Sequence, residues 1–225
     1  MWVKICGNTN LEDAQHAAEA GANAVGFVFA ASPRQVNTAT VRNIVPQLTR
    51  TVETYGVFVD SSAEEIVRVV SECGLTGVQL HRVPSAERRL AEKLRQRFLA
   101  LHMESVKIIS VLSFEDPAER PFADQMQEAL EGADAVLVDT KSAKAVGGTG
   151  TSFDWKAASA SFHENNGRMR VIAAGGLNAG NVVEAVQTLR PWGVDVVTGV
   201  EAMPGRKDAQ RVEDFVRAAR SGAKA

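Results

Sequence analysis

Cysteine is scarce in this chain of 225 residues, which has two, Cys6 and Cys73, in unrelated contexts. Two isolated thiols exclude a disulfide framework, and no Cys/His cluster has the spacing of a metal site. No apolar run approaches the ~20 residues that a membrane-spanning helix needs. The N-terminus also lacks the basic and then apolar segment of a signal peptide. These absences predict a cytoplasmic protein without a metal, a cofactor or a membrane partner.

An excess of charge of one sign is absent as well. The 25 Lys and Arg residues nearly balance the 27 Asp and Glu residues, which leaves a net charge of -2. This balance gives no electrostatic reason to expect a nucleic acid or an anionic membrane as partner. Hydrophobic residues make up 45% and charged residues 23% of the chain, values that are ordinary for a folded globular protein. The chain is long enough to bury a full core.

Short β-branched runs alternate with helical patterns from end to end. Strands are predicted near 2–6, 24–29, 54–59, 77–81, 107–112, 135–139, 170–174 and 194–198, and helices near 10–20, 38–49, 62–73, 84–98, 115–131, 154–161, 178–188 and 208–220. Strict alternation favours parallel strands with crossover helices, and eight such units fit one closed (β/α)8 TIM barrel of the α/β class over 1–225. The residues at 221–225 are expected to form a loose tail. An open, doubly wound sheet is the alternative, because sequence does not show the strand order.

Cap signals support several of these helices. Asn10, followed by Asp13, predicts the start of the first helix, and Ser62 predicts the start of the third. Asn178 is expected to cap the seventh helix in the same way. Pro117 and Pro121 leave the start of the fifth helix open.

Active sites of such barrels lie at the carboxyl ends of the strands. Cys6 and Asp139 end the first and sixth predicted strands, and the alternation of side chains places both inside the barrel, together with Gln79 on the fourth strand and Leu137 on the sixth. A thiol and a carboxylic acid can serve as a general base and a general acid. We expect Lys4, on the same face as Cys6, to lower the thiol pKa from ~8.5 toward ~7. The alternative for Cys6 is a buried small hydrophobe without a catalytic role.

Three other polar residues have simpler interpretations. Asp195 should face the interior of the eighth strand and meet Lys4 where the barrel closes, as an ordering contact. His81, at the end of the fourth strand, is expected to order or hydrogen-bond at the rim. Cys73 ends a helix and is expected to be inert.

Two glycine-containing turns predict a phosphate site. Gly175 and Gly176 follow the seventh strand, and Thr198 and Gly199 end the eighth. Glycines let backbone N–H groups approach an anion, and the loops after these two strands are the usual phosphate site of the fold. Arg34, in the loop after the second strand, could bind a carboxylate with both arms of its guanidinium. The loop at 147–152 has the composition of a lid that closes over a site. The alternative interpretation is a flexible, solvent-exposed loop without such a role.

These residues stand in segments that resemble the phosphoribosylanthranilate isomerase family. The resemblance covers residues 3 to about 207 and rests on these runs, in order: Lys4-Ile-Cys-Gly, Ala24-Val-Gly-Phe-Val-Phe, Ser32-Pro-Arg, Val78-Gln-Leu-His, Leu137-Val-Asp-Thr-Lys, Gly147-Gly-Thr-Gly, Ala174-Gly-Gly-Leu-Asn and Gly199-Val-Glu. The chain departs from the family after His81 and in a longer stretch at 99–125.

The resemblance implies an Amadori rearrangement in tryptophan biosynthesis that needs no cofactor or metal. Asp139 would protonate the furanose ring oxygen, and Cys6 would remove the proton on sugar carbon two. Arg34 would hold the anthranilate carboxylate, while Gly175, Gly176, Thr198 and Gly199 would hold the phosphate, with His81 at the substrate-binding rim. The partner is a small phosphorylated substrate.

Other functions remain open from the residues alone. An indole-glycerol-phosphate synthase-like barrel usually carries Lys and Glu at strand ends, and a sugar-phosphate epimerase needs two facing acids or metal ligands. A non-catalytic protein that only senses a phosphate ligand would not need both Cys6 and Asp139, so their presence favours an enzyme. A second activity on the analogous aminoaldose of histidine synthesis would need two phosphate-binding ends, and the motifs indicate one. The sequence does not decide between a monomer and a homodimer.

Overall fold

The strands form a closed parallel barrel. The structure, a computed structural model, describes residues 1–82, 89–113, 122–139, 159–160, 162–163 and 169–223. Each strand pairs in parallel with the next, and the last pairs with the first. The strands are β1 (Trp2–Ile5), β2 (Ala24–Val28), β3 (Glu53–Val59), β4 (Gly77–Arg82), β5 (Lys107–Ser113), β6 (Ala135–Asp139), β7 (Val171–Ala174) and β8 (Gly193–Val196). The predicted barrel is confirmed, and the doubly wound alternative is wrong because β1 and β8 leave no free edge.

Helices follow the strands as the alternation predicts. They are α1 (Leu11–Glu19), α2 (Thr38–Ile44), α3 (Ala63–Cys73), α4 (Leu90–Ala100), α5 (Phe122–Leu130), α6 (Val182–Leu189) and α7 (Ala209–Gly222), and residues 159–160 and 162–163 are also helical. Two 3-10 turns, η1 (Val45–Gln47) and η2 (Thr198–Val200), and a hairpin of β9 (Glu201–Met203) and β10 (Arg206–Lys207) complete the described elements. No helix within the described ranges is both long and apolar enough to cross a membrane.

Several predicted boundaries need correction. Thr198 does not end a strand, because β8 stops at Val196 and Thr198 begins η2. The helix predicted over 38–49 divides at Val45, where Pro46 cannot continue the α-helical hydrogen bonding. Ser221 and Gly222, at the start of the expected loose tail, belong to α7, and Gly222 is buried, while residues 224–225 lie outside the described residues. The predicted helical segments at 84–88, 115–121 and 154–158 lie outside the described residues.

Side-chain caps explain where most of the helices with a described start begin. The Asn10 and Ser62 side chains accept hydrogen bonds from the backbone N–H groups of Asp13 (2.9 Å) and Glu65 (3.2 Å), as predicted. Asn178 was expected to cap the helix after β7 and does not. Its side chain instead accepts from the backbone N–H of Gly180 (2.8 Å), which makes a turn, so α6 begins only at Val182.

The strands alternate between two apolar layers. Outward side chains such as Val3, Val136 and Val194 pack in the large cluster between barrel and helices. Inward side chains such as Leu137 and Ile172 form a smaller cluster inside the barrel. The predicted inward direction of Leu137 is confirmed, and the same alternation brings Asp139, two residues later, to the barrel mouth.

A buried ion pair lies at the point where the barrel closes. Lys4 pairs in register with Asp195 across β1 and β8, and its Nζ donates to Asp195 Oδ1 (2.7 Å) and to Gln79 Oε1 (2.6 Å). The predicted contact between Lys4 and Asp195 is confirmed. Burial opposes the charge on Lys4, but the attraction of Asp195 and Cys6 outweighs it and raises the pKa of Lys4. The lysine therefore stays charged inside the barrel.

The amino-terminal end of the barrel is held by a separate network around Glu53. Its carboxylate accepts hydrogen bonds from Trp2 Nε1 (3.3 Å) and from the Tyr55 hydroxyl (3.0 Å), and it pairs with Lys107. Burial, together with the Glu53 charge, raises the pKa of Tyr55 and keeps its hydroxyl a donor. This end of the barrel is consequently tied together by structural contacts, and the candidate site lies at the other end.

Removal of the Lys4 charge should destabilise the fold. In Lys4→Met the Asp195 carboxylate stays buried without its cation, and we expect a loss of about 3–5 kcal/mol in the free energy of unfolding. Lys4→Met combined with Asp195→Leu should recover most of that loss. Urea denaturation measures all three proteins. The exposed pair of Arg68 and Glu72 provides the control, because Arg68→Ala should cost less than about 1 kcal/mol; a Lys4→Met loss no larger than that would contradict the prediction.

Candidate active site

A cavity of about 680 Å³ opens at the carboxyl ends of the strands. All the predicted site residues except Gly199 line it: Cys6, Arg34, His81, Asp139, Gly175, Gly176 and Thr198. The volume lies within the range of small-molecule sites. Residues predicted one by one from strand ends are thus brought together around one space.

Cys6 follows β1 at the floor of this cavity and is 3% exposed. Its backbone N–H donates to the Val196 carbonyl (2.9 Å), which fixes the residue against β8. Gly26, on β2, leaves room for the thiol, since a methyl group at Gly26 would lie 2.6 Å from Cys6 Sγ. The sulfur therefore has one tightly packed position beneath the cavity.

Burial raises the pKa of the Cys6 thiol. The Lys4 ammonium acts in the opposite direction and does not overcome burial, while the Asp195 carboxylate adds to the rise. The expectation that Lys4 lowers this pKa toward neutrality is therefore wrong for the substrate-free protein. The physical reason is that Lys4 already donates hydrogen bonds to Asp195 and Gln79, which reduces the effect of its charge on the Cys6 thiol.

Asp139 lies across the mouth from Cys6. It is the last residue of β6, is half-buried and lines the same cavity. It pairs in register with Ala174 on β7, so it stands beside the turn that begins at Gly175. A thiol after β1 and a carboxyl group at the end of β6 consequently line one cavity.

The two glycine turns after β7 and β8 pack against each other. Gly175 and Gly176 have φ of 91° and 66°, a left-handed backbone that favours glycine. A methyl group at Gly199 would lie 1.9 Å from the Leu177 carbonyl oxygen, so only glycine lets the turns approach this closely. Gly199 does not line the cavity, and its predicted contact with phosphate stays a prediction.

Arg34 is bound to a carboxylate of the protein itself. Its Nε and Nη2 atoms donate to Glu201 Oε1 (2.7 Å) and Oε2 (2.6 Å), a side-on, two-armed pairing. This pairing does not use the end-on pair of donors on Nη1 and Nη2. Arg34 lines the cavity, so a second carboxylate could still be bound through that pair.

His81 and the remaining predicted residues have peripheral positions. His81 is exposed and lines the cavity, in keeping with its expected place at the rim. Cys73 is buried in the outer apolar layer, away from the cavity. The loop at 147–152 lies outside the described residues. Within the described ranges, no group of three or more His, Cys, Asp or Glu side chains is placed to hold a metal ion.

Comparison with known proteins agrees with this geometry. The model of the N-(5'-phosphoribosyl)anthranilate (PRA) isomerase family matches residues 3–218. The chain belongs to the phosphoribosylanthranilate isomerase family. The isomerase of Pelobacter propionicus is 38% identical over 219 residues, which are 97% of this chain and 95% of that protein. The isomerase of Chlorobaculum tepidum is 39% identical over 223 residues, 97% and 94% of the two chains.

Solved structures of phosphoribosylanthranilate isomerases have the same fold. That of Thermotoga maritima is 36% identical, with a TM-score of 0.80 over 98% of this chain and 99% of that one. Another, 33% identical with a TM-score of 0.77 over 98% and 99% of the two chains, was solved in complex with reduced 1-(o-carboxyphenylamino)-1-deoxyribulose 5-phosphate. That ligand carries both a phosphate and a carboxylate.

Sequence reasoning missed three residues that shape this isomerase-family site. Gln79 was expected to point inward but not to bind Lys4, and Glu201 belongs to the Gly-Val-Glu run but had no assigned partner. Lys207 had no signal at all, although its Nζ lies 3.2 Å from Glu201 Oε1. Two of these contacts, Lys4 with Gln79 and Arg34 with Glu201, join residues far apart in the chain, and no local pattern marks any of the three.

The Cys6 thiol should titrate above its ordinary value of ~8.5. We expect the rate of alkylation by iodoacetamide, measured without substrate in a Cys73→Ser background, to keep rising with pH past that value, because burial disfavours the reactive thiolate. The Cys6→Ser/Cys73→Ser double variant gives the background rate. An alkylation rate that levels off near pH 7 would show that the Lys4 charge outweighs burial in setting the pKa of the Cys6 thiol.

Proposed function

We infer that this chain converts N-(5-phosphoribosyl)anthranilate to 1-(2-carboxyphenylamino)-1-deoxyribulose 5-phosphate, an aldose–ketose isomerisation in tryptophan biosynthesis. The observation that carries this function is the common cavity, which brings the thiol of Cys6 and the carboxyl of Asp139 to opposite sides of one ligand-sized space. The family membership of the chain gives the substrate. The roles of the individual residues are our proposal.

Asp139 acts first, as the general acid. Its carboxyl group donates a proton to the ring oxygen of the furanose, the bond from that oxygen to carbon one breaks, and the nitrogen lone pair forms the C=N bond of a protonated Schiff base. The position of Asp139 at the cavity mouth supports this role, because the half-buried side chain can reach a ligand without leaving its strand end.

Cys6 then acts as the general base. Its thiolate takes the proton from sugar carbon two, and the electrons of that C–H bond form a C=C bond while the Schiff-base nitrogen becomes neutral. The resulting enolamine tautomerises to the ketone. Burial makes the thiolate a minority form, and the positive Schiff base next to carbon two, together with Lys4, favours that form when it is needed.

The two charged ends of the substrate fix its orientation. Gly175, Gly176 and Thr198 hold the phosphate, and the end-on donors of Arg34 hold the anthranilate carboxylate. The open backbone at Gly176, where a side chain would meet nothing within 4 Å, supports the phosphate position. Two fixed ends leave the sugar little freedom, so carbon two stays close to the thiol.

We also propose that the reaction takes place in the cytoplasm. Cys6 and Cys73 are both free thiols and lie in different parts of the barrel, one in the cavity and the other in the outer layer. Free thiols of this kind fit a reducing compartment.

Loss of either catalytic group should abolish most turnover. Cys6→Ala and Asp139→Asn should each lower kcat by about 10²–10⁴-fold, because each removes one proton-transfer group. The loss of substrate fluorescence measures the rate. Cys73→Ala is the matched control, since it removes a buried thiol outside the cavity, and it should keep near-normal turnover. Near-normal kcat in both site variants would refute the assignment.

Arg34→Ala should act on binding more than on chemistry. The variant loses the donors for the substrate carboxylate, while Glu201 keeps Lys207 as a partner, so the fold should tolerate it. We expect KM to rise about 10–100-fold with a smaller change in kcat. Steady-state kinetics on the same substrate separate the two constants, and an unchanged KM would remove Arg34 from the binding site.

A further inference from the structure

Glu201 lies between two positive side chains at the edge of the cavity. One is Arg34, and the other is Lys207, whose Nζ lies 3.2 Å from Glu201 Oε1. The exposed fractions of the three side chains are 18% for Arg34, 5% for Glu201 and 1% for Lys207. The group is therefore buried except on the side where Arg34 meets the cavity.

The charges of this group do not cancel. Arg34 and Lys207 each carry a positive charge, and Glu201 carries one negative charge, so the group as a whole is positive. Lys207 Nζ also donates to a neutral carbonyl oxygen, that of Val197 (3.2 Å). Arg34 and Glu201 without Lys207 would form a neutral pair with much less attraction for an anion. The buried lysine thus provides the excess positive charge.

The hairpin of β9 and β10 holds this group in place. The backbone N–H of Gly205 donates to Glu201 Oε1 (3.3 Å), and the Arg211 side chain binds the Glu201 carbonyl (2.6 Å). The backbone N–H of Lys207 donates to Asp13 Oδ2 (2.9 Å) on α1. The hairpin follows directly after η2, so the proposed phosphate turn and the charge group are parts of one continuous segment.

Arg34 itself has little freedom to move. A methyl group at Gly7, directly after Cys6, would lie 2.9 Å from Arg34 Cδ, so the arginine stem packs on the glycine backbone. Glu201 fixes the side-on donors of Arg34 and leaves the end-on donors for a ligand. A planar carboxylate can accept two parallel hydrogen bonds from such a pair of donors.

We propose that Lys207 and Glu201 are positioning residues that set the preference of this site for a substrate with a carboxylate: Glu201 fixes the Arg34 guanidinium, and Lys207 keeps the group positive. The proposal rests on the carboxylate-binding role of Arg34 in the proposed function. It adds that the preference depends on a buried lysine that touches no substrate atom.

The experiment compares two substrates that differ in one group. Ribose 5-phosphate condensed with anthranilate gives the natural substrate, and the same sugar condensed with aniline gives an analogue without the carboxylate. The ratio of kcat/KM for the two substrates measures the preference for the carboxylate. Lys207→Met should lower this ratio about tenfold, whereas Lys207→Arg, which keeps the charge, should restore most of it. A merely structural defect would lower kcat/KM for both substrates alike.

Two further variants separate the possible failures. Lys107→Met is the matched control, because Lys107 also pairs with a glutamate but at the opposite end of the barrel, and its ratio should not change. Arg34→Ala should remove the preference. If Arg34→Ala leaves the ratio intact, the proposed role of Arg34 is wrong. If Arg34→Ala removes it and Lys207→Met leaves it intact, the inference about Lys207 is wrong and the proposed function stands.

A measurement on the wild-type protein covers the case that Lys207→Met does not fold. Burial lowers the pKa of Lys207, and the nearby positive charge on Arg34 lowers this pKa further. The charges of Glu201 and Cys6 act in the opposite direction and do not outweigh burial. The substrate ratio should therefore fall as pH rises and Lys207 loses its proton, and Lys207→Arg should remove that fall. Asp13 and Arg206 also lie at the hairpin, and Lys207→Arg leaves both in place, so a fall that disappears in this variant belongs to Lys207. A ratio that is flat in pH in both proteins would overturn the proposal.

Discussion

The contact between Lys4 and Asp195 lies where the barrel closes. The rest of the site depends on the register between β1 and β8 in which these two residues pair. A buried charge is costly unless it is paired, so β1 and β8 are strongly favoured in the alignment that brings these two residues together. A shift of one residue would turn Cys6 away from the cavity. In the same alignment the backbone N–H of Cys6 donates to the Val196 carbonyl, and the turn that begins at Thr198 borders the same cavity as Cys6.

The cavity is bordered by two buried polar groups with different net charge. Beneath Cys6, Lys4 is balanced by Asp195, so the group is neutral and burial decides the behaviour of the thiol. Beside the mouth, Glu201 faces both Arg34 and Lys207, so the group stays positive. In the proposed mechanism, the neutral pair beneath Cys6 leaves the thiol protonated until a positive intermediate forms, and the positive group beside the mouth attracts the substrate carboxylate. The carboxyl end of the barrel thus has different electrostatic surroundings beneath the cavity and beside it.

Much of the architecture could be predicted because it is local. The alternation of apolar and polar residues gave the inward direction of Lys4, Gln79 and Asp139, and the caps at Asn10 and Ser62 gave two helix starts. Where the prediction failed, another local hydrogen bond competed. Asn178 makes a turn instead of a cap, and Thr198 leaves the strand for a 3-10 turn. Such alternatives differ by little energy, and the contacts around them decide between them.

Cys6 and Asp139 could be proposed as a catalytic pair without coordinates, since strand ends in this fold meet at one mouth and the motifs around them resemble a known family. Their residue types and faces were thus determined by the sequence alone. Only the tertiary structure decided the pKa of the thiol, because the shift depends on how much water the packing around Gly26 and Lys4 excludes. It also decided the partner of Arg34, a glutamate 167 residues further along the chain. Such a pairing depends on the closure of the barrel, which no short stretch of sequence encodes.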